Sequence, residues 1–368
     1  MTSFVDAYFQ RTAPHALKRS YPMVAGLHLN EMPRDIPAEL KARILLRLRQ
    51  VPLNRYPEPF ADSLAAKLAG WYGCNHNQIL VGPGSSSFIR LLLTFFGLHM
   101  QGKLVITRPS FAYYEQFCLA FGIDYDTWEL TNDFQYDPGG LNGLPDYSVV
   151  FLTTPNNPTG NVLAVPQLER LLNEHARSLF LVDEAYVEFT SQNTLPLVET
   201  HDNLILLRTF SKAFGAAGLR CGALIGQAAT IEAVGGLQTP WQLSPYTIEA
   251  AKMIVDYARS TNWIAERVQE VVTEREKLFE RCCNLATTHF AIYPSHGNFL
   301  LFQGSSAEAH LALLAACADH HIRVEDLNKK PRLARCIRVT IGRPEENELF
   351  EHAFAAAFTQ VARKPATK

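Results

Sequence analysis

The sequence TFSKAFGAAGLRCG at residues 209–222 decides how the rest of the chain is interpreted. It follows an apolar run at 204–208 that is typical of a buried strand. Two other polar segments follow apolar runs upstream, TTPNNPTG at 153–160 and DEAY at 183–186. Ligands of open parallel sheets bind beyond the carboxyl ends of the strands. We therefore expect these three segments to meet at one binding site.

The middle of the chain alternates short apolar runs with helical stretches, the pattern of a mostly parallel sheet covered by helices. The predicted strands are residues 78–81, 104–107, 148–153, 179–182, 204–208 and 222–225. The predicted helices between them include residues 61–72, 86–96 and 165–175. The expected fold class is therefore α/β, with a mostly parallel central sheet in a large domain.

A second, smaller α/β domain is expected after Pro240, where the pattern changes. The segments predicted there are a long helix at 245–283, strands at 289–293, 299–302 and 336–340, and a helix near 307–320. A chain of 368 residues is also longer than one compact core usually holds. We expect an N-terminal segment, 1–48, that packs with the small domain, 244–368, and a large domain at 49–243.

Composition narrows the possible functions. The chain is 47% hydrophobic and 19% charged, as folded globular proteins are. Its formal net charge of -2 offers no electrostatic footprint for nucleic acid. The N-terminus lacks an apolar signal core, and the longest apolar run is too short to span a bilayer. The seven cysteines show no metal-ligand spacing, so we expect reduced thiols, no metal and a cytoplasmic location.

The segments at the strand ends offer the groups that the phosphate of pyridoxal 5'-phosphate (PLP) needs. A phosphate binds N–H groups at a helix N-terminus, hydroxyl groups and a guanidinium. The candidates are Ser85 and Ser86 of GPGSSS at 82–87, the hydroxyls of Thr209 and Ser211, and Arg220. Each segment taken alone is an ordinary turn, helix cap or solvated surface.

The ring and the aldehyde of PLP need three further groups. The pyridine nitrogen stays protonated beside a buried carboxylate, for which Asp183 is the candidate. The phenolate oxygen needs neutral donors, which Asn157 and Tyr186 can be. The aldehyde forms a Schiff base with an amine that loses its proton near neutral pH, and Lys212 is that amine. The predicted catalytic residues are Lys212, Asp183 and Tyr186, and PLP is the predicted cofactor.

The order of these motifs resembles that of fold-type-I PLP-dependent aminotransferases, specifically the histidinol-phosphate aminotransferase family. The similarity extends to RYP at 55–57, RPSF at 108–111, NFLL at 298–301 and CIRVTIGRPEEN at 336–347. It implies the type I PLP-transferase fold, a role in amino-acid biosynthesis and a homodimer with active sites at the subunit interface. The implied reaction moves an amino group between an amino acid, or an amino-alcohol phosphate such as histidinol phosphate, and a 2-oxo acid.

The resemblance also implies roles for single residues. Phe111 takes the position of an aromatic ring that stacks on the pyridine, where tyrosine or tryptophan is more usual. Tyr56 would reach the phosphate of the partner subunit's cofactor. Arg338 matches the arginine that binds the acidic end of the substrate, a task that suits a guanidinium. Asn157 and Tyr21 are further candidates for substrate binding.

One departure from the family pattern bears on the substrate. Glu325 stands where the family usually has an arginine that helps to hold the substrate phosphate. A glutamate there would repel a phosphate monoester and could attract a cationic group. Arg323, on the same side of the strand, and Lys329 and Lys330 are close enough in sequence to compensate. Glu325 is therefore included among the candidates for substrate binding. We hypothesise that the substrate is not histidinol phosphate.

Three functions are alternatives to amino transfer. A PLP-dependent decarboxylase resembling threonine-phosphate decarboxylase shares this fold, and the Pro-Trp pair in QTPWQLSP at 238–245 is reminiscent of it. A PLP-binding protein without catalysis would be expected to have lost Lys212 or Asp183, and both are present. An oxidoreductase has little support, because no GxGxxG sequence follows the first strand.

Overall fold

The computed structural model describes residues 23–286 and 288–362, which form two sheets with helices packed against them. The strands are β1 (Ala25–Leu27), β2 (Ile79–Gly82), β3 (Leu104–Arg108), β4 (Asp126–Glu129), β5 (Val149–Thr153), β6 (Leu179–Asp183), β7 (Leu204–Thr209), β8 (Gly222–Gly226), β9 (Phe290–Tyr293), β10 (Phe299–Gly304), β11 (Ile322–Asp326) and β12 (Cys336–Thr340). The α-helices are α1 (Ala38–Leu48), α2 (Asp62–Tyr72), α3 (Ser85–His99), α4 (Tyr113–Phe121), α5 (Val165–Glu174), α6 (Leu195–Thr200), α7 (Ala228–Gly235), α8 (Pro245–Ser260), α9 (Trp263–Leu285), α10 (Ala307–Asp319) and α11 (Pro344–Ala362).

The larger sheet has seven strands in the order β2-β8-β7-β6-β5-β3-β4. Strand β8 runs antiparallel to both of its neighbours, and the other pairings are parallel. Every residue of β5 and β7 is buried, as is usual for parallel strands with both faces covered. These findings confirm the predicted α/β class with a mostly parallel central sheet.

The register of the central strands aligns their carboxyl ends. Thr153, the last residue of β5, pairs with Asp183, the last residue of β6. Asp183 in turn pairs with Leu207, two residues before the end of β7. The polar segments that follow β5, β6 and β7 therefore leave the sheet at the same edge.

The smaller sheet joins the two ends of the described chain in the order β1-β11-β12-β10-β9. Strand β1 pairs parallel to β11, with Ala25 opposite Ile322, and the remaining pairings are antiparallel. Helices α10 and α11 pack against each other beside this sheet, where Phe302 contacts the rings of Phe350 and Phe354. The N-terminal strand thus belongs to the sheet formed by the last third of the chain.

The helical region predicted at 245–283 is two helices rather than one, so that prediction was wrong in its continuity. Helix α8 ends at Ser260, and the backbone of Thr261 is extended, with φ -141° and ψ 167°. The Thr261 hydroxyl donates a hydrogen bond to the Tyr257 carbonyl at 2.8 Å, which satisfies a backbone group in the last turn of α8. Serine, threonine and asparagine side chains compete for backbone groups in this way, which favours a helix end.

Strands β1 and β4 were not predicted from the sequence, and β11 was implied only by the expectation that Arg323 and Glu325 lie on one side of a strand. In β4 only Trp128 is buried, because the strand lies at the edge of the large sheet. In β11 the residues Arg323, Val324 and Glu325 are all partly buried, so no alternation of exposed and buried positions marks the strand. Within residues 23–286 and 288–362, no helix is both long enough and apolar enough to cross a membrane.

Candidate active site

A cavity of about 740 Å³ opens where the carboxyl ends of β5, β6 and β7 face the smaller sheet. Its lining includes the predicted residues Ser85, Ser86, Phe111, Asn157, Asp183, Tyr186, Thr209, Ser211, Lys212, Arg220, Glu325 and Arg338. Tyr56 is not among the lining residues: it is 82% exposed and lies against Trp241, with ring centroids 5.1 Å apart. Tyr21 lies outside the described residues. The structure therefore brings together all but two of the predicted site residues.

The Lys212 amine is held by the N-terminal segment. Its Nζ donates hydrogen bonds to the carbonyl oxygens of Leu29 and Asn30, both at 2.9 Å. Desolvation in the cavity, and the nearby Arg338 guanidinium, lower the pKa of Lys212 to about 7. A substantial fraction of the amine is therefore unprotonated at neutral pH, as a nucleophile or general base requires.

The Asp183 carboxylate lies at the end of β6 and is 5% exposed. The Tyr114 hydroxyl donates to its Oδ2 at 3.0 Å, and the Ala185 N–H donates to its Oδ1 at 3.0 Å. Burial raises the pKa of Asp183 to about 6, because these neutral donors only partly replace water. A buried carboxylate whose described hydrogen-bond donors are both neutral fits the protonated ring nitrogen of PLP.

Tyr114 is a site residue that the sequence analysis missed. Its hydroxyl also makes a 2.8 Å hydrogen bond with Thr153 Oγ1, so it joins the ends of β5 and β6. Its ring packs edge-on against Phe111, with the centroids 5.7 Å apart. The available signal was the aromatic run FAYY at 111–114, which leads into helix α4, although it did not indicate which ring contacts Asp183.

The phosphate-binding residues predicted from GPGSSS lie at the start of helix α3, whose first residue is Ser85. Gly84 precedes the helix with φ +83°, a conformation that L-residues rarely adopt. The Arg220 side chain folds over this turn: its Nη1 donates to the Ala217 carbonyl at 3.0 Å and to Ser211 Oγ at 3.4 Å. A helix N-terminus, serine hydroxyls and a guanidinium thus converge, which fits a phosphate group.

Arg338 of β12 links the two sheets at the other end of the cavity. Its Nη1 donates to Asn157 Oδ1 at 2.6 Å, and its Nη2 donates to the carbonyl oxygen of His28 at 2.6 Å. Its buried Nε has no hydrogen-bond partner in the described structure. Because Arg338 lines the cavity and buried polar groups are generally hydrogen-bonded, this donor is a candidate for contact with a ligand oxygen.

Asn30 and Asn298 complete the wall behind Lys212, and neither was predicted as a site residue. Asn30 Nδ2 donates to the Tyr186 hydroxyl at 3.0 Å, and Asn298 Nδ2 donates to the Asn30 carbonyl at 3.1 Å. These contacts fix Tyr186 and the carbonyl that Lys212 contacts. The NFLL segment at 298–301 was the sequence signal for Asn298, although it did not indicate which residue Asn298 contacts.

A buried ion pair lies behind the catalytic strand ends. Arg208 of β7 and Glu184, which follows β6, are 6% and 0% exposed, with Arg208 Nη2 2.7 Å from Glu184 Oε2. Arg208 Nη1 also lies 3.5 Å from Glu188 Oε1. Glu184 comes directly after Asp183 in the chain, and Arg208 comes directly before Thr209. The pair therefore ties the strand that carries Asp183 to the strand that leads to Lys212.

The fold and the site together define a PLP-dependent enzyme of the aminotransferase type. The cavity contains a buried carboxylate for the ring nitrogen, an amine with a lowered pKa for the aldehyde and a helix N-terminus with Arg220 for the phosphate. Its volume accommodates a cofactor together with a small substrate. The residues present therefore fit the predicted cofactor.

The chain belongs to the family of class I and II aminotransferases, because the model of that family matches residues 22–354. A histidinol-phosphate aminotransferase of Pyrococcus furiosus is 36% identical over 325 residues, which is 88% of this chain and 89% of that protein. Among solved structures, histidinol-phosphate aminotransferase from Sinorhizobium meliloti in complex with pyridoxal-5'-phosphate has a TM-score of 0.79 and 22% identity, over 92% of both chains. L-threonine-O-3-phosphate decarboxylase from Porphyromonas gingivalis has a TM-score of 0.75 and 25% identity, over 93% of this chain and 100% of that one.

These similarities decide the class of enzyme. The chain is a PLP-dependent aminotransferase, which confirms the predicted enzyme class and cofactor. The decarboxylase has a similar fold, whereas three histidinol-phosphate aminotransferases match most of the chain at 29–36% identity. The aminotransferase prediction is therefore favoured over the decarboxylase alternative.

Removing the buried charge of Asp183 is expected to stabilise the cofactor-free protein above pH 4. The carboxyl ionises near its ordinary pKa of 3.8 in the unfolded chain, but near 6 in the folded protein. As the pH rises from about 4 to about 6, ionisation of the buried carboxyl lowers the free energy of unfolding by up to about 3 kcal/mol. The lowered stability persists at higher pH. Urea unfolding of cofactor-free Asp183→Asn should show an advantage over the unchanged protein that grows between about pH 4 and pH 7.

Asp124→Asn is the control for this experiment, because Asp124 is exposed. Its effect on the free energy of unfolding should change little over the same pH range. An Asp183→Asn advantage that did not vary with pH would show that the Asp183 carboxyl is not destabilised by burial.

Gly84→Ala is expected to weaken PLP binding. A Cβ at this position would lie 3.1 Å from Arg220 Nη2 and would be strained at φ +83°. We expect the dissociation constant of PLP, measured by absorbance titration of the cofactor-free protein, to rise about tenfold or more. Gly143→Ala is the matched control, since Gly143 has φ +77° but no atom within 4 Å of the added Cβ. Equal PLP affinities of the two variants would contradict the assignment of this turn to the phosphate.

Proposed function

We propose that the chain transfers an amino group between an α-amino acid, or an amino-alcohol phosphate such as histidinol phosphate, and a 2-oxo acid. The observation that carries this proposal is the placement of Lys212, Asp183 and Arg338 around one cavity. The names of the curated relatives support substrates of the histidinol-phosphate type. PLP, when bound, supplies the electron sink for this chemistry.

Each end of the cofactor has a proposed set of protein partners. Asp183 keeps the ring nitrogen protonated, and Phe111 stacks on the ring. Asn157 and Tyr186 donate hydrogen bonds to the phenolate oxygen. The residues proposed to hold the phosphate are Ser85, Ser86, Thr209, Ser211 and Arg220. This assignment is supported by the convergence of a helix N-terminus and a guanidinium around Gly84.

Lys212 is proposed to hold the aldehyde group of the cofactor as a Schiff base and to carry the proton of the reaction. Its Nζ would accept the α-proton of the amino donor and hold it at the site until it is returned. A pKa of about 7 suits both directions of this transfer, because the amine is partly protonated and partly neutral near pH 7. The carbonyl oxygens of Leu29 and Asn30 orient the amine.

Arg338 is proposed to bind the acidic group of the substrate, and Asn157 to position its guanidinium. The unpartnered Nε of Arg338 supports this role, since it is a buried donor that a substrate oxygen would satisfy. Tyr21 remains a predicted substrate contact. Glu325 faces the same cavity and is considered further below.

The test of this function is an absorption spectrum of the purified protein with PLP, followed during addition of L-glutamate, L-histidinol phosphate and a panel of L-amino acids. We expect a band near that of a PLP–lysine Schiff base, and its loss as at least one donor converts the cofactor to its pyridoxamine form. Lys212→Ala should lose that band, and turnover should fall by about 10³-fold or more because the proton carrier is absent.

The same experiment separates the decarboxylase alternative. Release of carbon dioxide from an amino acid, with recovery of the original band, would contradict amino transfer. No band after addition of PLP would contradict the cofactor assignment as well.

We further propose a homodimer in which Tyr56 reaches the phosphate of the cofactor in the partner subunit. Tyr56 and Trp241 are 82% and 47% exposed with their rings in contact, and exposed apolar side chains that lie together mark interaction surfaces. We also propose the division into a segment 1–48, a large domain 49–243 and a small domain 244–368. A cytoplasmic location is supported by the seven free cysteines, of which five are buried.

Tyr56→Phe tests the contact across the dimer. Sedimentation should give twice the chain mass of 41.2 kDa for both the unchanged protein and the variant, because the ring is kept. The dissociation constant of PLP should rise about threefold to tenfold in the variant, since one hydrogen bond to the phosphate is lost. Tyr147→Phe, at a position 50% exposed, is the control. A monomer, or unchanged PLP affinity in Tyr56→Phe, would contradict the proposal.

A further inference from the structure

Glu325 and Arg338 face each other across the smaller sheet. They are direct partners in the antiparallel pairing of β11 and β12, so their side chains extend from the same face. Both line the cavity that contains Lys212 and Asp183. We call the part of the cavity around Arg338 and Glu325 the acid-binding end. It has one fixed carboxylate, that of Glu325, beside the Arg338 guanidinium.

The Glu325 carboxylate is not committed to another partner. No hydrogen bond or ion pair engages it within residues 23–286 and 288–362, and the residue is only partly exposed. Both terminal nitrogens of Arg338 donate elsewhere, to Asn157 and to the His28 carbonyl, at 2.6 Å each. The negative charge of Glu325 is close enough to oppose the lowering of the Arg338 pKa by burial. Together the two side chains have a formal charge of zero.

Few other cations line this end of the cavity, since Arg323, although close enough to influence His28, is not among the lining residues. Burial, together with Arg323 and Arg338, lowers the pKa of His28 to about 4, so its imidazole is neutral at pH 7. Lys329 is exposed and Lys330 is partly exposed at the edge of the cavity, where water and salt screen their charges. Glu31 contributes a further carboxylate to the lining. The acid-binding end is therefore poorly suited to a dianion.

We propose that Glu325 is a specificity-determining residue that makes this site select substrates with a single α-carboxylate over phosphate monoesters. A carboxylate brings one negative charge to a pair that is already neutral, and the unpartnered Nε of Arg338 is the donor left for it. A phosphate monoester carries about 1.5 to 2 negative charges at pH 7 and would bring the excess towards Glu325. This inference rests on the proposed function, and it assigns α-amino acids and 2-oxo acids to both half-reactions.

Two unreactive probes isolate the acidic group, 3-(imidazol-4-yl)propionate and 3-(imidazol-4-yl)propyl phosphate. They share an imidazole and lack the amino group, so calorimetric titration of the PLP-loaded protein measures binding without turnover. We expect the unchanged protein to bind the propionate more tightly than the phosphate ester. In Glu325→Arg the ratio of the two affinities should shift towards the phosphate ester by about tenfold or more, with Glu325→Gln between the two.

Glu280→Arg is the matched control, because it makes the same change of charge on the exposed surface of helix α9. It should leave the ratio within about twofold of that of the unchanged protein, since salt screens a distant surface charge. Tighter binding of the phosphate ester by the unchanged protein would overturn the proposal. A change of the affinity ratio smaller than threefold in Glu325→Arg would also overturn it. The absence of binding of both probes to both proteins would do the same.

Failure of this inference is distinct from failure of the proposed function. If L-histidinol phosphate converts the cofactor efficiently and Glu325→Arg does not alter the probe ratio, amino transfer stands and the selectivity assigned to Glu325 is wrong. If no amino donor converts the cofactor while the probe ratio shifts as expected, the proposed function is wrong and the charge preference of the cavity stands.

Discussion

The arrangement of the site depends on the buried ion pair between Arg208 and Glu184. These side chains are almost fully enclosed and 2.7 Å apart, directly behind the ends of β6 and β7. Removing one partner would leave an uncompensated buried charge, which typically costs about 3–5 kcal/mol. The Glu184 N–H also donates to the Leu207 carbonyl at 2.9 Å, so side chains and backbone oppose any slip between the strands. Asp183 and Lys212 keep their separation because the ends of β6 and β7, from which their segments extend, are held in a fixed register.

Burial then sets the chemistry of the two groups in opposite directions. The same removal of water raises the pKa of Asp183 and lowers that of Lys212, because in each case it disfavours the charged form. In the absence of a ligand, burial disfavours the carboxylate form of Asp183 and the ammonium form of Lys212. Such a site sacrifices stability of the cofactor-free protein for reactivity, a trade that is common in active sites. A cofactor with a cationic ring nitrogen and an aldehyde suits both groups at once.

The sequence was sufficient to predict residues whose roles follow from local motifs, and insufficient for those whose roles depend on distant partners. Lys212, Asp183 and Asn157 follow strands directly, so the parallel sheet alone brings them to one edge. Tyr114 and Asn30 contact Asp183 and Tyr186 across 69 and 156 residues, and no periodicity records such a contact. The edge strand β4 was missed for a related reason, since hydrophobic pattern reports burial rather than pairing. Strand β11 was implied only by the expected placement of Arg323 and Glu325. Glu325 could be identified as unusual, but its opposition to Arg338 required the register of β11 and β12.

The pairing of β1 with β11 has a consequence for how the enzyme matures on the ribosome. The carbonyl groups that orient Lys212 belong to the segment after β1, and the Arg338 contact to the His28 carbonyl spans 310 residues. During synthesis the large sheet can assemble as soon as β8 has left the exit tunnel, whereas β1 must wait for β11, its partner in the smaller sheet. The nascent protein therefore passes through a stage with a formed central sheet and an unfinished active site. Catalytic competence is acquired only after β11 and β12 have been synthesised.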